Sequence, residues 1–126
     1  MSLPAVFWIT GLAGAGKTTI GRALWQRLRD AGHNAVFLDG DVMRAAVADD
    51  LGHGREDRLR VGLRHARTCK VLVEQGVTVV CSTISLFHEL HRWSRANIPG
   101  YREIYLRVPM TELERRDPKG LYARAR

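Results

Sequence analysis

The chain has 126 residues, 45% hydrophobic and 26% charged, with a formal net charge of +7 and two cysteines. This composition belongs to a soluble globular protein and excludes a low-complexity chain or a disulfide scaffold. No apolar run approaches bilayer length, and the segment 1–8 lacks the basic stretch and long apolar core of a secretion signal, so no membrane partner and a cytoplasmic setting are expected.

The predicted elements follow in order. Residues 5–10 are a short apolar run ending at a glycine, read as a buried strand. Residues 18–31 read as a helix, with Ile20, Leu24 and Leu28 on one face and Gly32 as its stop. Residues 35–38 form a second strand. Residues 55–74 form a long helix with Leu59, Leu63, Ala66 and Val73 along its apolar side. Residues 77–82 are continuously apolar, as in the middle of a parallel sheet. A helix over 86–96 stops before Pro99. Residues 103–108 alternate as a fourth strand, 111–116 are helical, and the remainder reads as a mobile basic segment. Alternation of strands and helices predicts an α/β fold, a parallel sheet with helices on both faces. Residues 1–126 are expected to form one domain. Cys69 and Cys81 lie in apolar stretches and read as buried free thiols.

Gly11-Leu12-Ala13-Gly14-Ala15-Gly16-Lys17-Thr18 matches G-x-x-x-x-G-K-[ST]. A chance match in a chain this long has a probability of roughly one in a few hundred, and the strand before and helix after are the context the motif needs. The glycines let successive N–H groups curl inward around a triphosphate. The following helix adds its positive dipole end. Lys17 reaches the β- and γ-phosphates, and the Thr18 hydroxyl holds Mg²⁺. Residues Gly11 to Thr18, with Thr19, are therefore the expected ATP site, and the fold is a P-loop NTPase fold.

Asp39-Gly40-Asp41 stands at the end of the second strand, where open α/β sheets bind ligands. One carboxylate can bind Mg²⁺ through water, and the other can accept the proton of an attacking hydroxyl. The residues themselves leave open which of Asp39 and Asp41 takes which task beside Thr18 and Lys17; with Asp41 as base, Asp39 is the expected metal residue beside Thr18. If the segment is helical, Arg44 lies one turn beyond Asp41 and faces the same ligand. Lys and Arg are spread along the chain and form no block, which favours a solvated surface over nucleic-acid binding. The expected partner is a small nucleotide acceptor.

Five segments, "FWITGLAGAGKTT", "LDGDVMR", "DDLGHGREDR", "TISLF" and "RDPKGLY", together resemble the adenylylsulfate kinase family. They keep their order and cover nearly the whole chain. The resemblance implies transfer of the γ-phosphate of MgATP to the ribose 3′-hydroxyl of adenylyl sulfate, usually by a homodimer. It implies Asp41 as the base, with Arg44 and Arg58 clamping the acceptor's phosphate and sulfate. Ile84 and Ser85 would line the acceptor pocket with Asp39. Lys119, in the lid segment 117–122, would come over the phosphates on closure.

Four departures from the family pattern bear on the acceptor. Val61 stands where the family commonly has Asn, and His53 where it often has a stacking aromatic residue. Ile84-Ser85-Leu86-Phe87-His88-Glu89 resembles a subgroup of which one member phosphorylates cytidine diphosphoramidate. The chain also ends at Arg126, where family members continue through the rest of the lid, a strand and a helix. A lid beginning about residue 115 is thus expected to be incomplete, and a non-catalytic nucleotide-binding module is the remaining alternative. His53, His88 and His91 are read as non-catalytic.

Overall fold

The structure is a computed structural model, and it describes residues 2–12 and 14–116. Its elements are β1 (Val6–Thr10), α1 (Lys17–Asp30), β2 (Ala35–Asp39), α2 (Gly40–Val47), α3 (Arg55–Glu74), β3 (Thr78–Thr83), α4 (His88–Asn97), β4 (Tyr101–Tyr105) and α5 (Met110–Arg116). The four strands form one parallel sheet in the order β2-β3-β1-β4.

β1 shows why the sheet is covered on both faces. Its alternate residues enter different clusters. Val6 and Trp8 pack with Ala66, Cys69, Val79 and Leu90 on the α3–α4 side. Phe7 and Ile9 pack with Leu28, Ala35 and Val80 on the α1 side. Period-two side-chain alternation in a strand buried on both faces gives a continuous apolar run. Cys69 and Cys81 are free and buried in the first of these clusters.

Three expectations need correction. The sequence suggests α2 only through the condition on Arg44, because Asp-Gly reads as a turn. In fact β2 passes into α2 with no intervening loop, since Asp39 ends the strand and caps the helix. β4 begins and ends earlier than the alternation at 103–108 suggests. Its register with β1 pairs Val6 with Tyr101 and Thr10 with Tyr105, so it stops where β1 stops. Ile20 does not share the burial of Leu28: it is 44% exposed against 6%. The α1 residue that meets the sheet near its start is Gly21, where a Cβ would stand 2.7 Å from the Phe37 ring. Among the described residues, no helix is long and apolar enough to cross a membrane.

Candidate active site

The ends of β1, β2 and β3 open into a cleft of about 590 Å³. The loop after β1 forms one wall. Gly14 and Gly16 have φ of 86° and 96°, in the left-handed region that side-chain-bearing residues rarely enter. Gly16 also caps α1, so the helix begins at the lysine of the motif. Lys17 Nζ donates to the Leu12 carbonyl at 3.1 Å, which holds the ammonium against the loop. Gly14, Gly16, Lys17, Thr18 and Thr19 line the cleft. Gly11, Leu12 and Ala15 belong to the same loop but lie off the cleft wall. Ala13 lies outside the described residues.

β2 carries the opposite wall. The two oxygens of Asp39 have different tasks. Oδ1 accepts from the N–H groups of Asp41 and Val42, at 2.9 and 3.4 Å, and so caps α2. Oδ2 accepts from the Thr18 hydroxyl at 3.4 Å. Gly40 lets α2 start hard against β3, since a Cβ there would sit 2.9 Å from the Ser82 carbonyl. Asp41 therefore stands in the first turn of α2 and faces the same cleft as Lys17. A threonine hydroxyl and a carboxylate oxygen this close, beside a phosphate cradle, are the oxygen donors that suit Mg²⁺ bound mainly through phosphates and water.

Arg44 is on the cleft, and its guanidinium also holds local structure. Nη2 donates to the carbonyls of Leu51, at 2.9 Å, and Gly52. Asp57 Oδ2 accepts from the Gly52 N–H at 2.9 Å, fixing the same loop from α3. Arg58 lies on the exposed part of the cleft wall. Its side chain makes no ion pair with Glu56 or Asp57, and Asp57 pairs with Arg60 at 3.8 Å.

Ile84 lines the cleft and is 42% exposed. Ser85, expected beside it, is buried behind the wall. Thr10 Oγ1 donates to its carbonyl at 3.0 Å and accepts from its N–H at 3.2 Å, and His91 Nε2 lies 2.7 Å from that carbonyl. The segment after β3 is thus pinned to the end of β1, which turns Ser85 inward. Lys119 and the segment 117–122 lie outside the described residues.

Besides Ser82 and Thr83 at the end of β3, two cleft residues escaped the sequence reading. Arg116, on α5, reaches back across the fold, and its Nη1 donates to the Gly14 carbonyl at 2.8 Å. Glu112 holds the Arg116 Nε at 2.9 Å. Arg115 and Arg116 together hold the Glu112 carboxyl down at about 2. His65 is the other. It follows Arg58 and Val61 at i, i+3 and i+7, a spacing that puts all three on one helix face and was available in the sequence. Burial first, and then the Arg44 charge, push its pKa down to about 4. Four basic side chains, Lys17, Arg44, Arg58 and Arg116, therefore face two carboxylates, Asp39 and Asp41. That excess suits a polyanionic ligand.

Residues 3–126 match the family model described as adenylylsulphate kinase. The chain belongs to that family. A cytidine diphosphoramidate kinase of Campylobacter jejuni is 43% identical over 122 residues, which are 97% of this chain and 71% of the relative. An adenylyl-sulfate kinase of Paraburkholderia xenovorans is 44% identical over 123 residues, 97% of this chain and 69% of the relative. The Mycobacterium tuberculosis APS kinase CysC, solved in complex with AMPPNP and APS, superposes with a TM-score of 0.87 at 34% identity, covering 95% of this chain and 72% of that one. Membership of the adenylylsulphate kinase family supports a phosphotransferase that binds a nucleotide in the P-loop fold described above.

Proposed function

We propose that the protein transfers the γ-phosphate of ATP to the ribose 3′-hydroxyl of adenylyl sulfate. The observation that carries the reading is that Lys17 and Asp41, from different elements, line one cleft. ATP lies with its phosphates on the Gly11 to Thr18 loop and Thr19. The loop amides and Lys17 neutralise charge on the transferred group. Asp41 accepts the proton of the attacking hydroxyl. Arg44 and Arg58 hold the acceptor's anionic oxygens, a task suited to forked guanidinium donors, while Ile84 packs against the acceptor. Thr18 and Asp39 would hold Mg²⁺, which would supply positive charge against the phosphate oxygens. Catalysis is then mostly positioning and charge neutralisation. The working form is a homodimer.

A second acceptor, a cytidine nucleotide conjugate such as cytidine diphosphoramidate, is favoured by Val61 on the cleft wall and by the Leu86-Phe87-His88-Glu89 stretch. Val61 offers no hydrogen bond where the family commonly has an amide. ADP release measured with adenylyl sulfate, cytidine conjugates and simple nucleosides separates the readings. Preferred turnover of adenylyl sulfate supports the first, and preferred turnover of a cytidine conjugate supports the second. ATP binding without ADP release for any acceptor would leave a nucleotide-binding module.

A further inference from the structure

Phosphate transfer gives no task to His65, the deepest residue that α3 places in the cleft. α3 sends Arg58, Val61 and His65 into it along a single stripe. The stripe is graded in depth: Arg58 is exposed, Val61 is buried, and His65 retains 1% of its surface. At 1.5 Å rise per residue, Arg58 and His65 stand about 10 Å apart along the helix. A nucleoside with its first phosphate has about that reach.

His65 is poorly suited to a purely internal role. Neither Nδ1 nor Nε2 has a hydrogen-bond partner among the described residues. Burying a polar ring with both nitrogens unmet is costly, and an apolar side chain of similar volume would pack there without that cost. Its depressed pKa keeps the ring neutral near pH 7. A neutral imidazole offers one N–H donor and one acceptor nitrogen. Anionic oxygens are better met by Arg44 and Arg58, whose charge is permanent.

We infer that His65 is a specificity-determining contact at the floor of the acceptor subsite, where a ring nitrogen hydrogen-bonds an uncharged amino, amide or hydroxyl group of the acceptor nucleotide. The inference rests on the kinase reading for the position of the acceptor. It adds a contact that fixes which acceptor is taken. A site built to hydrogen-bond a substrate group rejects an analogue that lacks it far better than an apolar pocket rejects an added group.

The test uses the whole chain, His65→Leu and His65→Gln. Binding of two probes, adenosine 5′-phosphosulfate and cytidine 5′-diphosphate, is measured by calorimetry with MgADP present, and MgATP binding is measured separately. Imidazole ¹⁵N resonances of the unsubstituted protein are followed in parallel, with His65 assigned by its loss in either variant. The expected result is at least tenfold weaker binding of the preferred probe to His65→Leu, partial recovery in His65→Gln, MgATP affinity within twofold throughout, and a His65 shift on adding the probe but not MgADP. Equal probe affinity in all three proteins, or a His65 resonance that the bound probe does not move, would overturn the inference. So would MgATP binding by a protein that takes neither probe, although the donor side of the kinase reading would survive. Loss of MgATP binding in the unsubstituted protein would instead sink the kinase reading. A probe-dependent His65 shift in that case would still uphold the contact. Should His65→Leu fail to fold, the ¹⁵N shift and His65→Gln decide alone.

Discussion

The two sides of the cleft are built differently. The proposed phosphate side is one loop and the start of one helix, eight consecutive residues. The proposed acceptor side is gathered from β2, α2, α3 and the end of β3, with residues from Asp39 to Ile84. A contiguous cradle tolerates little change, because each amide direction depends on its neighbours. A gathered wall can change one position at a time. The donor should therefore be uniform and the acceptor adjustable, and substitutions on the two sides should separate in their effects.

The largest effect is expected from Lys17→Ala, which should bring ADP release to background for every acceptor. Full turnover would remove the assignment of the loop. Asp41→Asn comes next. It should lower kcat by about 10²–10⁴ and leave ATP affinity within twofold; equal losses in both would show that Asp41 is not the base but part of the cradle. Gly40→Ala tests whether α2 must lie against β3. With a Cβ 2.9 Å from the Ser82 carbonyl, urea denaturation should report a loss of about 1–3 kcal/mol, and unchanged stability would mean that the helix start can shift freely.

A smaller effect belongs to pH. The folded-state pKa of His65 lies near 4, below its ordinary value of 6.5. The unfolded chain therefore binds the proton first as pH falls. The contribution is fully present above pH 6.5 and is lost as pH falls toward 4. His65→Leu should flatten stability across that window in acid titrations followed by circular dichroism, and parallel curves would show that the ring titrates normally. The smallest effect is expected from Val61→Asn. Restoring an amide should improve the KM for adenylyl sulfate several-fold, about the worth of one hydrogen bond, with the KM for ATP unchanged. A matching change in both KM values would show that the two sides are not separable.

What could be read from the sequence follows the same division. The phosphate loop is legible because its chemistry is local: glycines, a lysine and a threonine at fixed spacing, between a strand and a helix. The parallel sheet is legible because β1 and β3 are buried on both faces. α2 was not legible as an element, because its cap is the last residue of the preceding strand. The family resemblance puts Ser85 on the acceptor pocket, whereas the fold turns it inward. Its inward turn depends on Thr10 and His91, which are 75 and six residues away. His65 has the right helical spacing to Arg58, yet only the fold reveals that its nitrogens are buried without partners. Arg116 depends on a contact across 102 residues, which no local pattern encodes.

The carboxylate of Asp39 has a wider consequence. One of its oxygens fixes the helix that carries Asp41, and the other answers to Thr18 at the mouth of the cradle. On the proposed reading, donor and acceptor chemistry share a single hinge pin. Selection for a new acceptor can rework α3, where Val61 and His65 stand, but cannot touch Asp39 without disturbing both hands of the enzyme together.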